Sequence, residues 1–402
     1  MGGKRKKEKS RLAEYGKNSF LLFILMMTAS VVIGYGIGFI IGNEVDISIE
    51  SSSLPGELGK INISIITVFI SIFMAVFIQI NIHEFGHYVF GRLAGYRLLS
   101  YRFSIFSWDY ENGKMVFSIR FNKGYSGLCA MIPPEKGTSK IQDILYNAGG
   151  IIFNLVFSII FLAVFFYVEG FLSALSFTMA VLGVIIGITN LIPFREANIY
   201  TDGKFIFSML FNTPLAATLR EFNILLSQMT AGILPADLNV SLAAAKEHLD
   251  DNEISFLIYA YWKALDEDDE DTYLEAARLM EENIDLFPSY SIPGIYYELC
   301  FIACISGDEE KAREYYEKVG KTLEKDRDIN GLRVKAYYEY YINRNPEKAL
   351  VYARNGLVVK DKYPLKGLAL LEEKLIRKLL AELEEEESTV EEDKSDNKKE
   401  TI

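Results

Sequence analysis

Four long apolar segments constrain this chain more than any other feature. They cover residues 19–42, 61–90, 145–168 and 171–193. Each is long enough to cross a hydrocarbon layer roughly 30 Å thick as a helix. Because a span must satisfy its backbone hydrogen bonds internally, these segments predict an all-α, polytopic membrane domain with about four transmembrane helices in a lipid bilayer.

The composition divides the chain into an apolar part and an acidic part. The chain has 402 residues, of which 50% are hydrophobic, yet its formal net charge is −12. This length predicts two or more domains, and the negative charge argues against a nucleic-acid partner. Three cysteines, Cys129, Cys300 and Cys304, form no disulfide framework. We expect Cys300 and Cys304 to pack as small apolar residues, with a redox or metal role as the alternative.

The distribution of lysine and arginine predicts the orientation of the spans. Basic residues are dense before residue 19 and in the 91–140 loop, whereas the 43–60 loop has one, at its end. Because basic residues are retained on the cytoplasmic side, the N-terminus, the 91–144 loop and everything after Pro193 are predicted to be cytoplasmic. The protein is thus expected in the cell membrane as a multi-pass protein with both termini in the cytoplasm.

The second apolar segment ends in a short motif that predicts a metal site. His83-Glu84-Phe85-Gly86-His87 reads H-E-x-x-H. On a helix, residues four apart share one face, so His83 and His87 can reach the same metal ion. Glu84 is then placed to act as a general base on water activated by that ion. The motif can arise by chance, but it uses two of only three histidines, and ionisable residues beside an apolar helix are costly without a function.

A catalytic zinc ion takes three protein ligands and keeps one position open, so one ligand remains to be found. His248 is chemically suitable, but it lies in a polar stretch beyond the spans and is expected on the surface. Asp202 follows the fourth span on the predicted cytoplasmic side, the same side as the motif. We therefore predict Asp202 as the third ligand, with an ordinary Asp-Gly turn as the alternative.

These motifs resemble those of the site-2 protease family of intramembrane zinc metalloproteases, peptidase family M50. H-E-x-x-H is similar to the first motif of that family. Asn190 and Pro193, followed by Asp202-Gly203, resemble its second motif. Residues 148–154 resemble its G-P-x-x-N element, and residues 124–131 resemble the loop before that span. The resemblance covers about residues 62–210.

The chain departs from the family pattern at two places. Ile151 stands where the family usually has proline, and the spacer between Pro193 and Asp202 is longer than usual. The long spacer makes Glu196 the fallback for the third ligand.

The resemblance implies a zinc metalloendopeptidase with one Zn²⁺ per chain. It further implies that Asn154, Asn190 and Pro193 support substrate binding or the transition state. For Asn154, an interhelical hydrogen bond is the equally weighted alternative.

The cytoplasmic loop after the motif contains a hairpin pattern. Residues 97–110 and 114–121 alternate apolar and polar side chains in places and flank Asn112-Gly113, a strong turn signal. An exposed strand within 96–121 can pair with an extended substrate by strand addition. A plain hairpin lying on the membrane, with aromatic residues at the interface, is a compatible alternative.

The C-terminal half predicts paired helices. Glu275-Ala276, Lys311-Ala312 and Lys348-Ala349 recur at intervals of 36 and 37 residues, each near the start of a second helix. This period resembles tetratricopeptide-like repeats, which present a surface to a protein partner; a helical bundle without a partner is the alternative. The domains are expected at 1–18 (basic N-terminus), 19–235 (membrane metalloprotease), 236–387 (cytoplasmic helical repeats) and 388–402 (disordered charged tail), with the membrane contact of 204–235 left open.

The sequence therefore favours an intramembrane zinc metalloprotease. It is expected to hydrolyse transmembrane or membrane-inserted peptides near the cytoplasmic face. A non-catalytic membrane scaffold of the same fold is one alternative, although an intact Glu84 argues against it. A metal-binding transporter is another, but the spans lack the several acids that a transport path usually uses.

Overall fold

The computed structural model of the chain describes residues 56–119, 127–196, 199–247 and 254–399. The basic N-terminus and the first predicted span, residues 19–42, lie outside the described residues. Three long helices occupy the next three predicted spans: α1 (Gly56–Ala94), α2 (Lys140–Phe165) and α3 (Gly170–Leu191). Residues 69–94 of α1, and all of α2 and α3, are long and apolar enough to cross a membrane.

The three long helices pack on one another in every pairwise combination. A small apolar core of Ala75, Leu175, Met179 and Leu182 joins α1 to α3. Helix α2 begins five residues before the predicted span because Ser139 and Gln142 form a reciprocal capping box that satisfies the first free N–H groups. The tight connection between α2 and α3 ends at Gly170, whose φ is 60°.

The loop between α1 and α2 forms a sheet rather than a single hairpin. Its strands are β1 (Arg97–Phe103), β2 (Phe106–Glu111), β3 (Lys114–Ile119) and β4 (Gly127–Ile132), and their order across the sheet is β3-β2-β1-β4. The predicted turn is confirmed, since Asn112 and Gly113 both have positive φ, as a tight hairpin turn requires. The predicted helical membrane domain with a β-hairpin loop is thus found with a larger sheet: β1 and β4 extend it beyond the hairpin. Strand β4 was not predicted because its sequence is apolar, does not alternate and has no turn signal.

Aromatic residues fix β1 against the first helix. The Tyr101 hydroxyl donates to the side-chain oxygen of Asn81 at 2.6 Å, and the rings of Phe77 and Phe103 meet edge to face at 5.3 Å. The side chains predicted for the membrane surface thus pack in part on α1.

After α3 the chain forms two very short strands, β5 (Arg195–Glu196) and β6 (Ile199–Tyr200), which pair antiparallel. Two helices follow, α4 (Asp202–Phe211) and α5 (Pro214–Ala231). The segment 204–235, whose membrane contact the sequence left open, is therefore mostly helical, and neither helix is among the candidate spans found in the described residues.

The chain divides into two compact units. The first contains α1, α2, α3 and the chain up to residue 217. The second contains the chain from Thr218 onward, together with residues 108–117 and 132–137. Its long segment begins at Thr218, whereas the predicted division lay after residue 235. Within the second unit, the Asn112 N–H donates to Asp328 Oδ1 at 2.8 Å.

The second unit is built from helices joined by short connections. They are α6 (Leu242–Glu247), α7 (Phe256–Asp266), α8 (Glu270–Glu282), α9 (Ile292–Ile305), α10 (Glu309–Val319), α11 (Lys321–Lys325), α12 (Ile329–Tyr341), α13 (Pro346–Val359) and α14 (Lys366–Lys399). Helices α7 and α8, α9 and α10, and α12 and α13 pack as pairs. The recurring Ala276, Ala312 and Ala349 lie in the second helix of each pair and are fully buried, so a small residue lets the helices approach.

Helix α14 continues to Lys399, past residue 388, where a disordered tail was predicted.

A buried polar chain crosses the first helices of these pairs. The Tyr261 hydroxyl donates to Glu298, and the Arg333 guanidinium donates to both Glu298 and Glu372. Successive members are 37, 35 and 39 residues apart, so each helix contributes one residue at an equivalent position. Removal of one partner from a buried ion pair leaves an uncompensated charge. These buried hydrogen bonds and ion pairs therefore favour a single packing of α7, α9, α12 and α14.

Candidate metal centre

Three side chains of the first unit converge on one point. His83 Nε2 and His87 Nε2 lie 3.1 Å apart, and Asp202 Oδ2 lies 3.0 Å from the first and 3.3 Å from the second. Two ligands about 2.0–2.1 Å from a tetrahedral zinc ion lie roughly 3.3–3.4 Å apart. The three atoms therefore match one face of a zinc tetrahedron, which leaves the fourth direction open.

The remaining ring nitrogens of both histidines are held by hydrogen-bond acceptors. His83 Nδ1 lies 2.6 Å from Asn154 Oδ1, and His87 Nδ1 lies 2.9 Å from the backbone oxygen of Tyr146. Each Nδ1 therefore carries a proton, which leaves Nε2, directed at Asp202, as the nitrogen that can bind a cation. Without a positive charge between them, two Nε2 lone pairs and a carboxylate would repel one another, and either protons on the rings or a metal ion at their centre supplies that charge.

Glycines let α2 reach the two imidazoles. A Cβ atom added at Gly150 would stand 2.6 Å from both His83 Cε1 and His87 Nε2. Gly86 and Gly149 face each other at the same crossing, where either added Cβ would meet the other residue's carbonyl oxygen within 2.4 Å. The crossing of α1 and α2 is thus set by small residues, as is common between membrane helices.

Asp202 reaches the histidines because the long spacer folds back on itself. The β5–β6 pair takes up the additional residues, and the Thr201 hydroxyl donates to the backbone oxygen of Ile192 at 2.8 Å. Asp202 is the first residue of α4. The next residue must be glycine, because a Cβ atom added at Gly203 would lie 1.8 Å from the carbonyl oxygen of Leu191. In the described residues, only the two histidine nitrogens approach Asp202 Oδ2 within hydrogen-bonding distance.

The charge state of Asp202 suits a ligand. Burial alone raises the pKa of its carboxyl, but His87 and His83 outweigh that effect and hold the pKa well below its ordinary value. Positive charge at this position, from the histidine rings or from a metal ion, thus favours the ionised carboxylate that a metal ligand must be.

Glu84 is buried between the histidines and β4. A Cβ atom at Gly127 would lie 2.3 Å from Glu84 Oε1, so the strand passes directly against the carboxyl group. Glu84 also interacts electrostatically with His83, His87 and Asp202, which places it beside the ligands without being one of them.

The three residues that the resemblance implies as support for the substrate or the transition state lie in different surroundings. Asn154 is fully buried, and its amide nitrogen donates to the backbone oxygen and to Oε1 of Gln79, at 3.0 and 2.8 Å. Both of its N–H groups are thus used between helices, which favours the interhelical alternative. Asn190 Nδ2 donates to the oxygen of Ile186 in its own helix, and Pro193 is exposed, so their support of the substrate stays a prediction.

The alternative third ligands lie outside what the structure describes. Among the described residues, the cluster able to hold a metal ion consists of His83, His87 and Asp202. Glu196 lies in β5, but the position of its side chain lies outside what the structure describes, as does the whole of His248. Two further features escaped the sequence interpretation, namely Gln79 and the passage of β4 against Glu84.

Comparison with known protein families agrees with this geometry. Residues 71–176 match peptidase family M50. The match covers α1 from Ser71, the sheet, α2 and the start of α3, and it includes His83, Glu84 and His87. It ends before Asp202, so the third ligand rests on its position in the structure. Family M50 consists of zinc-dependent membrane metalloproteases, and residues 71–176 are similar to it. No curated protein and no solved structure matches the chain.

Proposed function

We propose that this protein is an intramembrane zinc endopeptidase. The observation that carries the proposal is the triangle of His83 Nε2, His87 Nε2 and Asp202 Oδ2, with the carboxyl group of Glu84 beside it. A structural zinc site closes its fourth position with a protein ligand. Here the described residues provide three ligands and one acid that is not a ligand, which is the donor set of a hydrolytic site.

Each residue of the site then has a separate role in the reaction. A zinc ion held by the three ligands supplies Lewis acidity, which makes water more acidic and polarises a peptide carbonyl. Glu84 accepts the proton of the attacking water and afterwards delivers it to the leaving amine. Gly127 of β4 packs against Glu84 and limits the movement of its carboxyl group, which is buried together with His83 and His87. No covalent intermediate with the protein is required.

We further propose that β4 presents the substrate. A substrate helix hides its carbonyls in hydrogen bonds and must be extended before it is cut. Strand β4 stands at one end of the sheet of described strands, and its first residue, Gly127, lies directly against the Glu84 carboxyl group. A peptide paired with that edge lies alongside the catalytic carboxyl. The other edge strand, β3, lies within 96–121, where strand addition was predicted; we favour β4 because it is the edge strand whose Gly127 lies against Glu84.

The helix pairs of the second unit are proposed to be tetratricopeptide-like repeats that bind a protein partner or the substrate. Their support is the near-constant period of the buried alanines and of the polar chain from Tyr261 to Glu372. The charge distribution supports a cytoplasmic location for this unit and places the cleavage site near the cytoplasmic face.

The proposal is tested with the full chain purified in detergent. Zinc content is measured first, and then cleavage of a membrane-inserted peptide by the wild type and by Glu84→Gln. Because Gln cannot take the proton, we expect one bound zinc per chain in both proteins, and a loss of cleavage of at least 100-fold, as is typical when a general base is removed.

Glu169→Gln is the matched control, because Glu169 is an exposed acid at the start of α3, away from the ligands. It should cleave like the wild type. The Asp202→Ala variant should lose zinc. Equal cleavage by the wild type and Glu84→Gln refutes the protease and favours a scaffold, whereas zinc that crosses vesicles without peptide cleavage favours a transporter.

A further inference from the structure

A polar side chain lies one helical turn before the H-E-x-x-H motif and is not explained by it. Gln79 is fully buried in α1, and its neighbours Phe77, Ile78 and Ile80 are apolar. An amide inside a membrane-spanning helix is costly unless its donors and acceptor are satisfied. Gln79 is satisfied by partners on both of the other long helices.

The hydrogen bonds form a chain from α3 to the metal ligand. Gln79 Nε2 donates to the backbone oxygen of Met179 in α3 at 2.7 Å. Gln79 Oε1 accepts from Asn154 Nδ2 of α2 at 2.8 Å, and Asn154 Oδ1 faces His83 Nδ1 at 2.6 Å. Each of the three helices therefore contributes one group to this relay, which consists of Met179 O, Gln79 and Asn154.

The direction of every bond in the relay is fixed by backbone oxygens. The oxygen of Met179 can only accept, so the nitrogen of the Gln79 amide must face it and Oε1 must face Asn154. The nitrogen of Asn154 then points at Gln79, where it also donates to the backbone oxygen at 3.0 Å. Its oxygen is left to face His83, and Nδ1 of that ring must be the protonated nitrogen. The Nε2 lone pair is thereby directed at the metal position.

His87 obtains the same arrangement without a relay, because the backbone oxygen of Tyr146 faces its Nδ1 directly. His83 lies opposite a side chain instead of a free carbonyl. Gly183 of α3 provides the room, since a Cβ atom there would stand 2.5 Å from Gln79 Nε2.

We propose that Gln79 is a positioning residue, which acts through Asn154 to fix the tautomer and the orientation of His83. The inference rests on the proposed function insofar as it assigns a zinc ligand to His83. Partners that hold the far nitrogen of a ligand histidine typically change metal affinity by about 10- to 100-fold when they are removed. Gln79 is thus part of the zinc site, although it lies a full turn from the nearest ligand.

The test uses the full chain in detergent and the Gln79→Leu variant, which keeps the side-chain size and removes the amide. Zinc affinity is measured by competition with a chelating dye, and we expect it to fall about 10- to 100-fold. The ¹⁵N resonances of the histidine rings are recorded in the metal-free protein. They are simple to assign because the chain has only three histidines. In the wild type His83 should be protonated at Nδ1, and in Gln79→Leu it should become a mixture of tautomers.

Thr178→Val is the matched control. Thr178 is fully buried beside Met179 and donates to the backbone oxygen of Ala174, so the control also removes a polar group from α3, but outside the relay. It should leave zinc affinity within twofold of the wild type. A Gly183→Ala variant disturbs the relay from the other side, by pushing Gln79 away from Met179, and provides a second route if Gln79→Leu does not fold.

The outcomes separate this inference from the proposed function. Unchanged zinc affinity and an unchanged His83 tautomer in both Gln79→Leu and Gly183→Ala overturn the positioning role. A wild-type chain that does not cleave peptides refutes the protease instead. The tautomer measurement in the metal-free protein decides the relay in that case too.

Discussion

Gly150 shows how closely the metal centre depends on one missing methyl group. A Cβ atom added at Gly150 would lie 2.6 Å from a ring atom of His83 and of His87. The Gly150→Ala variant should therefore displace the rings and weaken zinc binding by at least 10-fold. We expect this loss with little change in the melting temperature, since most of the helix crossing remains.

The matched control for that prediction is Gly187→Ala. Gly187 lies in α3, and its added Cβ would meet Leu155 at an ordinary 3.4 Å. Zinc content and thermal unfolding of the two variants in detergent check the prediction. If Gly150→Ala binds zinc like the wild type, the close approach of α2 to the histidines is not needed for the site.

At the level of single residues, the sequence predicts the parts of the site that a motif encodes. His83, Glu84 and His87 follow from the spacing of one helix, and Asp202 follows from the need for a third ligand. Gln79 was not found, because its role depends on a carbonyl of α3, 100 residues away. The available signal was an amide in an otherwise apolar helix, four residues before the first histidine and therefore on the same face.

At the level of elements, a substitution in β4 tests whether a substrate peptide pairs with the edge of this strand. The backbone oxygen of Cys129 accepts from the Tyr146 hydroxyl of α2 at 2.7 Å. Because the backbone groups of successive residues in a strand alternate sides, Met131 directs its N–H to the same edge of β4 as Cys129, and we propose that this N–H meets the substrate. Met131→Pro removes that donor, and we expect peptide cleavage to fall about 10-fold or more while zinc content is unchanged.

Met131→Ala is the control for the altered strand, since it removes the side chain, which lies against Gly91, but keeps the N–H. Cleavage by the two variants is compared at equal zinc content. If both variants cleave at the same rate, a peptide does not pair with this edge of β4.

The elements differ in how well the sequence predicts them. The β2–β3 turn follows from Asn112-Gly113, because that pair adopts positive φ readily. The apolar segments predict α1, α2 and α3, but not the start of α2 at Lys140, which depends on the Ser139 cap. The β5–β6 pair could not be foreseen, since two residues per strand are too few for a periodic pattern. The long spacer between Pro193 and Asp202, which weakened the assignment of Asp202 as a ligand, is thus the segment that positions Asp202 beside the histidines.

For the whole molecule, the sequence predicts a membrane part and a helical part, and the borders between them stay predictions. The chain forms two compact units, and α5 begins at Pro214 in the first and continues into the second without a change in composition that marks the border. Residues 108–117 belong to the second unit although they lie in the loop of the membrane domain. Long-range grouping of that kind has no local signature in a sequence.

The orientation of the chain in the membrane is the last prediction, and it follows from charge. The basic residues predict that the α2–α3 connection faces away from the cytoplasm and that the helix pairs lie within it. Single cysteines at two exposed positions, Glu169→Cys and Tyr290→Cys, report on the two sides. The three native cysteines are buried, so they contribute little background. With a membrane-impermeant maleimide, Glu169→Cys should be labelled in intact cells and Tyr290→Cys only after permeabilisation. Labelling of Tyr290→Cys in intact cells would instead place the helix pairs outside, and the site near the outer face.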